Sequence, residues 1–463
     1  MIHDLKPYPD YKDSAVPWLG EVPEHWDVVP SRAVFAEAKE REHPEEQMLS
    51  VTITKGVIRQ QALLADSSKK DSSNQDKSAY KLVLPGEIAY NKMRAWQGAI
   101  GVSDYRGIVS PAYVVQRPRE GADPRYFHHL LRTPAFAKEA ERWSYGITSD
   151  MWSLRPEHFK MIYGCLPPLP EQSGIVRFLD HAERRIRHYI RIKKKLIALL
   201  NEQKQAIIHR AVTRGLDPNV PLKPSGVEWV GEVPEHWELS RVKDEFSCLN
   251  HRRVPLSATV RGAMTLRQYD YYGASGVIDK VDDYLFDDEL LLVAEDGANL
   301  VLRNLPLAII ARGKFWVNNH AHILKPKWGN LGYLTCVMET LNYLPWISGA
   351  AQPKLTQDRL MGIAIAVPSS EEQDRIAEWG RNETAPLHTT MERARREIDL
   401  IREYRTRLIA DVVTGKLDVR EAAAKLPDEP EGPEALEDIE TPEERDEVAE
   451  GDNLQAVAEE AEA

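Results

Sequence analysis

The chain has 463 residues, 42% hydrophobic and 29% charged, with a formal net charge of −12. At roughly 100 to 200 residues per domain that length predicts two or three domains rather than one core. No run approaches the roughly 18 apolar residues of a membrane helix, and the opening MIHDLKPYPDYKDSAVPW lacks an apolar stretch behind a basic patch, so a soluble, cytoplasmic protein with no membrane association is expected.

In chain order, residues 16–26 (VPWLGEVPEHW) read as a Pro- and Trp-rich cap that opens a domain. Short apolar runs follow at 81–90 (KLVLPGEIAY) and 107–115 (GIVSPAYVV) and predict strands, while 124–132 (PRYFHHLLR) predicts a helix. From the end of the first run onward lie Tyr90, Asn91, Lys92, Arg94, Trp96 and Gln97, which crowd amide, basic and aromatic groups into eight residues. Arg and Lys can pair with guanine, Asn and Gln with adenine, and any of them can hold phosphate. Alone, the segment is equally a polar loop around a core Trp. Lys69, Lys70 and Lys77 lie in a Ser- and Asp-rich stretch that reads as a solvated loop.

A Pro/Glu/Gln boundary at 168–172 then opens a long helical pattern from about residue 175 to 214. The opening motif returns at 227–237 (VEWVGEVPEHW), offset by 211. Strand-like runs recur at 290–294 and 307–311, a second boundary falls at 368–373, and a second long helix closes near Thr414. In this copy the polar candidates are Arg252 and Arg253, then Arg267, Gln268 and Tyr269 after Thr265, then Asn318, Asn319 and His320, then Gln352 and Lys354. Ser149 and Arg155 complete the set in the first copy. The 90–97 stretch has no sequence counterpart, so the two copies are expected to recognise different things.

The helices share one register. Ile186, Ile190, Lys193, Ile197, Leu200, Lys204, Ile207 and Ala211 form a heptad seam, repeated at an offset of 201 by Leu387, Met391, Ala394, Ile398, Ile401, Arg405, Leu408 and Val412. Each helix is predicted to pack on another helix, and an antiparallel pair lets one compact domain join the end of the first to the start of the second. The predicted layout is a first domain (1–170), a first helix (171–215), a linker and second domain (216–368), a second helix (369–419) and an acidic, disordered tail (420–463). The tail explains the charge: from residue 421 onward 17 acidic residues face Lys425 and Arg445, so the other 420 residues carry a net +3. The fold class is α+β, with two mixed α/β domains separated by two long antiparallel coiled-coil helices and related by a pseudo-two-fold internal repeat.

Catalytic signatures are missing. There is no Asn/Asp-Pro-Pro-Tyr/Phe methyltransferase motif, no GxxxxGK[ST] loop and no HExxH. Cys165, Cys248 and Cys336 are too scattered for a disulfide framework or a cysteine zinc site, and Glu24–His25 and Glu235–His236 belong to the caps rather than to acid–base chemistry. No catalytic residue, metal or cofactor is assigned to this chain.

The doubled caps, the 90–99 and 107–113 stretches, the boundaries and the paired helices together resemble the specificity subunits of Type I restriction-modification enzymes, over about residues 14 to 418. The resemblance implies two target-recognition domains that each read one half of a split double-stranded DNA site, with the helices as spacer and docking surface. It also implies two modification subunits that carry S-adenosylmethionine and methylate adenine, and restriction subunits that use ATP and Mg to cut DNA. The alternative reading is an antiparallel coiled-coil adaptor that binds only proteins.

Overall fold

The computed structural model describes residues 5–61, 76–146, 152–227, 230–303, 305–349 and 353–427. The chain divides into two compact units, Met1–Arg191 with Ile398–Ala463, and Ile192–Glu397, so each long helix contributes one part to each unit.

In the first unit the strands Phe35–Ala38, Tyr113–Pro118, Ile88–Asn91 and Ile100–Val102 form, in that order, one antiparallel sheet. Side chains alternate across it. Ile88, Tyr90 and Val114 enter the main core, while Ala89, Tyr113 and Val115 enter a second core with Leu49, Val51 and Val57. A sheet buried on both faces needs apolar residues at consecutive positions, which is why 88–90 and 113–115 read as runs.

The second unit holds a six-stranded sheet in the order Phe246–Cys248, Ala321–Pro326, Phe286–Ala294, Ala308–Val317, Tyr269–Gly273, Gly276–Val281. Its first four strands repeat the first unit's sheet in order and register. Gln116 lies between Glu37 and Ile88 as Leu324 lies between Cys248 and Leu291. The additional hairpin joins through a parallel pairing of Tyr269–Gly273 with Ala308–Val317. Again both faces are buried, with Leu291 and Val293 in one core and Leu290 and Leu292 in the other.

The long helices are Leu169–Arg214 and Ser370–Val413. In the first unit Ile175, Phe178 and Leu179, near the start of the first helix, share a core with Leu408, Val412 and Val413 at the end of the second, and Arg405 pairs with Glu183. In the second unit Ala211 and Val212 share a core with Ile376, and Lys193 meets Glu397 at 2.6 Å. Start packs against end in each unit, so the helices run antiparallel. Ile186, Ala211, Met391, Ala394, Ile398, Leu408 and Val412 of the seam are buried, while Ile190, Lys193, Ile197, Leu200, Lys204, Ile207, Leu387 and Ile401 are half-buried. Arg405 is the exposed seam residue, reaching out to Glu183.

The repeated motif and the repeated boundary are two halves of one device. Trp26 Nε1 donates to Glu171 Oε1 at 3.1 Å and His25 Nε2 lies 2.8 Å from Oε2, with the Tyr8 hydroxyl as a third donor. Trp237 and His236 meet Glu372 at 3.2 and 2.8 Å in the same way. The neighbouring Gln172 and Gln373, both fully buried, accept from Asp123 N and Asn330 N, at the caps of the helices Pro124–Leu130 and Leu331–Thr340. Trp26 also covers the glycine that ends the second helix: Gly415 has φ +79°, and a β-carbon there would meet Pro23 and come within 3.0 Å of Trp26 Cζ3. His25 and His236 are therefore structural groups of the caps.

One expectation is corrected. Folded structure continues past residue 420 through the short helix Arg420–Ala424 to Leu426, because Val419, Ala423 and Leu426 recur at helical spacing and are buried. Arg420 pairs with Asp418 at 2.6 Å and lies over the Tyr8 ring. The strongly acidic part of the predicted tail, from 428 on, lies outside the described residues, as do Lys69 and Lys70. Lys77 is half-buried and turns the chain through a Tyr80 N to Lys77 O bond of 3.0 Å.

Candidate nucleic-acid interface

Both units build the same backbone ladder beside the sheet. In the first, Asn91 N donates to Ala99 O at 3.0 Å, closing the loop that carries Lys92 to Gln97, and Leu154 N donates to Lys92 O at 2.9 Å. In the second, Ala294 N donates to Leu307 O at 2.9 Å and Leu355 N to Glu295 O at 2.7 Å. The register makes Asn91 the counterpart of Ala294, Lys92 of Glu295, and Ser153 and Arg155 of Lys354 and Thr356. The 90–97 loop thus has a structural counterpart that its sequence conceals, and the chemistry on it is exchanged.

The ladder sorts the first unit's candidates. Tyr90 is a core residue, fully buried and stacked on Phe159 with ring centroids 5.1 Å apart, so it is not offered to DNA. Asn91 is buried too, and its Oδ1 accepts from Met93 N at 2.9 Å, which turns the chain into the loop. Arg94 is buried with Nη1 3.5 Å from Gln97 Oε1. Lys92, Trp96 and Gln97 are half-buried, and Arg155 is exposed at the cap of the helix Pro156–Phe159. Trp96 donates to Met93 O at 2.8 Å and packs edge-on to Trp152 at 5.5 Å. Lys92 and Gln97 thus share the loop, and Arg155 follows Leu154, whose N–H bonds Lys92 O. Ser149 lies outside the described residues.

In the second unit Arg253, Asn319, His320 and Lys354 gather around Glu295 and Asp296. Arg253 Nη1 bonds Glu295 and, at 3.3 Å, Asn319 O; Lys354 Nζ lies 3.3 Å from Glu295, and His320 Nδ1 lies 2.8 Å from Asp296. Burial raises the Glu295 pKa, but the bond from Arg253, with His322 and Lys354 nearby, outweighs it and holds the carboxyl below its ordinary range. Asn319 is exposed, whereas Asn318 is buried and accepts from His320 N at 2.8 Å. Arg252 is exposed, over the Phe286 ring. Arg267, Gln268 and Tyr269 belong to the added hairpin instead. Arg267 is committed to Asp279, whose pKa is held at about 2 by Arg261 and by Arg267 itself, Gln268 N donates to Val281 O, and Tyr269 packs on Tyr284. Gln352 lies outside the described residues. No group of three or more His, Cys, Asp or Glu among the described residues is placed to hold a metal ion.

Two positioning residues give no signal in the sequence. Half-buried Arg132 donates to Gly98 O, Ile100 O, Ile53 O and Thr54 O at 2.7 to 3.2 Å and fixes the end of the Lys92–Gln97 loop. At the matching distance from its helix start, in the last turn of Leu331–Thr340, Glu339 accepts from Leu307 N and Ala308 N, both at 2.8 Å. The charge is reversed because one loop presents carbonyls and the other presents N–H groups.

Beside Arg132, burial lowers His129 to about pKa 4, and His128 well below its ordinary value with its Nδ1 accepting from Val102 N at 3.2 Å. A base depressed in the folded state contributes stability above its unfolded pKa of about 6.5 and loses it as pH falls toward 4. Denaturation of the first unit is expected to lose roughly 3 kcal/mol across that window from His129 alone. His129→Gln should flatten the profile; an unchanged profile refutes the assignment.

Residues 234–379 match the family model described as the Type I restriction modification DNA specificity domain, a span that holds Trp237, the six-stranded sheet and the start of the second long helix. A putative type I restriction enzyme specificity subunit of Haemophilus influenzae is 33% identical over 157 residues, 34% of this chain and 37% of that protein, so the match spans little more than a third of that relative. The putative type I restriction enzyme MjaX specificity subunit of Methanocaldococcus jannaschii is 22% identical over 436 residues, 87% of this chain and 96% of that one. A solved chain of a type I R-M system, described for its complex assembly and conformational transition, shares the fold, with a TM-score of 0.58 at 14% identity over 86% of this chain and 99% of that one. With its doubled caps, paired helices and twice-built sheet, the chain carries a match to the Type I restriction modification DNA specificity domain at residues 234–379 and is similar over most of its length to a putative type I restriction enzyme specificity subunit.

Proposed function

We propose that the chain reads a bipartite, asymmetric DNA target, one half with the domain before the first long helix (residues 1–170) and the other with the domain between the helices (216–368). The helices (171–215 and 369–419) would dock two modification subunits, which carry S-adenosylmethionine and methylate adenine, and restriction subunits, which use ATP and Mg. Neither chemistry is assigned to this chain.

The observation that carries this reading is the shared ladder with exchanged side chains. Lys92 in one unit is Glu295 in the other, and Ser153 is Lys354, on the same hydrogen-bonded frame. A cation addresses guanine or phosphate, whereas the carboxylate at the matching position is held by Arg253 and Lys354, so the two frames present different groups. A protein-only adaptor has no comparable use for a constant frame with variable groups.

The test is reconstitution with the modification subunits and mapping of methylated adenines on a random-sequence duplex library. Lys92→Ala with Gln97→Ala should relax one half-site, about tenfold for each base-reading side chain removed, and leave the other intact. Lys354→Ala with Asn319→Ala should do the converse. A uniform loss over all sequences would assign these groups to phosphate. Methylation without sequence preference by the unaltered complex would sink the proposal.

A further inference from the structure

The ladder has a third rung. In the first unit Tyr145 and Ser153 exchange backbone bonds, Ser153 N to Tyr145 O at 3.1 Å and the reverse at 3.4 Å. In the second, Ser348 pairs with Lys354 in the same position. Tyr145 and Ser348 are therefore counterparts, one rung from Lys92 and Glu295. The side chains differ again, here between an aromatic ring and a small hydroxyl.

Tyr145 is built as a platform. It is 59% exposed, the most exposed aromatic ring among the described residues of the first unit. Its inner side rests on His158, with ring centroids 5.0 Å apart, and His158 in turn lies 6.3 Å from Trp143. Trp143 is pinned by its Nε1 bond of 2.8 Å to Glu139. An exposed ring on a bare loop would be poorly placed, whereas this one is fixed by two main-chain bonds and a three-ring column, so little ordering entropy remains to be lost on contact.

We propose that Tyr145 is a specificity-determining residue for the first half-site, its ring packing on the C5 methyl of a thymine in the major groove. That methyl is the apolar group duplex DNA displays at its base edges. Every half-site whose adenine is methylated contains at least one thymine opposite it. The inference rests on the proposed DNA reading and adds the group that recognises apolar surface beside the polar readers Lys92, Gln97 and Arg155.

The experiment uses the reconstituted complex with modification subunits and duplexes in which each thymine of the mapped target is replaced, one at a time, by deoxyuridine. With the unaltered chain, one replacement in the first half-site should weaken binding about fourfold, the worth of one buried methyl. Tyr145→Ala should weaken the parent duplex about tenfold and abolish that sensitivity, Tyr145→Phe should retain it, and Ser348→Ala should leave it unchanged. Melting of Tyr145→Ala and Tyr145→Phe alongside the parent chain separates DNA binding from folding, since the ring is mostly exposed. If Tyr145→Ala keeps the same deoxyuridine response as the parent, or loses affinity equally for every duplex, the thymine contact is wrong while half-site reading stands. A parent complex with no sequence preference overturns both.

Discussion

Trp26→Ala is expected to destabilise the first unit by about 3–5 kcal/mol, the cost of removing a large, fully buried side chain that its surroundings cannot refill. The indole does three things. It fills the core with Tyr8, Val412 and Ile175, it donates to the buried Glu171 carboxylate, and it lies on Gly415. Removal leaves Tyr8 and His25 as the side-chain donors to Glu171 among the described residues. Trp26→Phe keeps most of the apolar area but loses the N–H, and should fall between. Trp237→Ala removes an equally buried ring, but its carboxylate partner Glu372 is half-buried and Gly215 is packed less closely, since a β-carbon there would come no nearer than 3.4 Å to Glu372. That loss should be smaller. Hydrogen exchange resolves the two, with faster exchange at residues 169–182 and 405–413 for Trp26→Ala, and at 205–214 and 372–380 for Trp237→Ala. Unchanged exchange in both would show that the caps do not tie helix starts to helix ends.

These caps also show how far the sequence can be read. The doubled motif, the doubled boundary and the heptad register are legible because each requires particular side chains at fixed spacing. That motif and boundary meet is not legible, since Glu171 and Trp26 are 145 positions apart. The 90–97 loop fails differently. Its partner at 294–307 is defined by main-chain hydrogen bonds, which any residue type can make, so the side chains are free to diverge and no letter pattern survives. Arg132 and Glu339 are the extreme case, opposite charges with one role. Tyr90 has the chemistry of a reader, yet Ile88 and Tyr90 lie on one face of a strand and Ala89 on the other, with both faces covered. The unbroken apolar run through 88–90 carries that signal.

A carboxylate introduced into the helix seam should act in proportion to burial at each site. Ile398 is 5% exposed, and Ile398→Asp loses its apolar packing, worth about 2–5 kcal/mol, before the cost of desolvating a charge is counted. Relief is not at hand. The cation one turn on, Arg402, already lies 3.7 Å from Asp399, and Lys193 is engaged with Glu397. Ile197 occupies the same seam but is half-buried, and Ile197→Asp should cost less, about 1–2 kcal/mol, because water can reach the charge. Leu400 lies two residues from Ile398 and off the seam, 64% exposed, and Leu400→Asp should change stability by no more than about 0.5 kcal/mol. Helicity by circular dichroism, urea midpoints and light scattering of the complex with modification subunits would be measured on all three. The expected order is Ile398→Asp, then Ile197→Asp, then Leu400→Asp, with complex formation failing first in the first of them. Equal effects at the three sites, or a larger one at Leu400, would mean that the heptad register does not mark the packed face and that helix pairing is held by the globular parts of each unit alone.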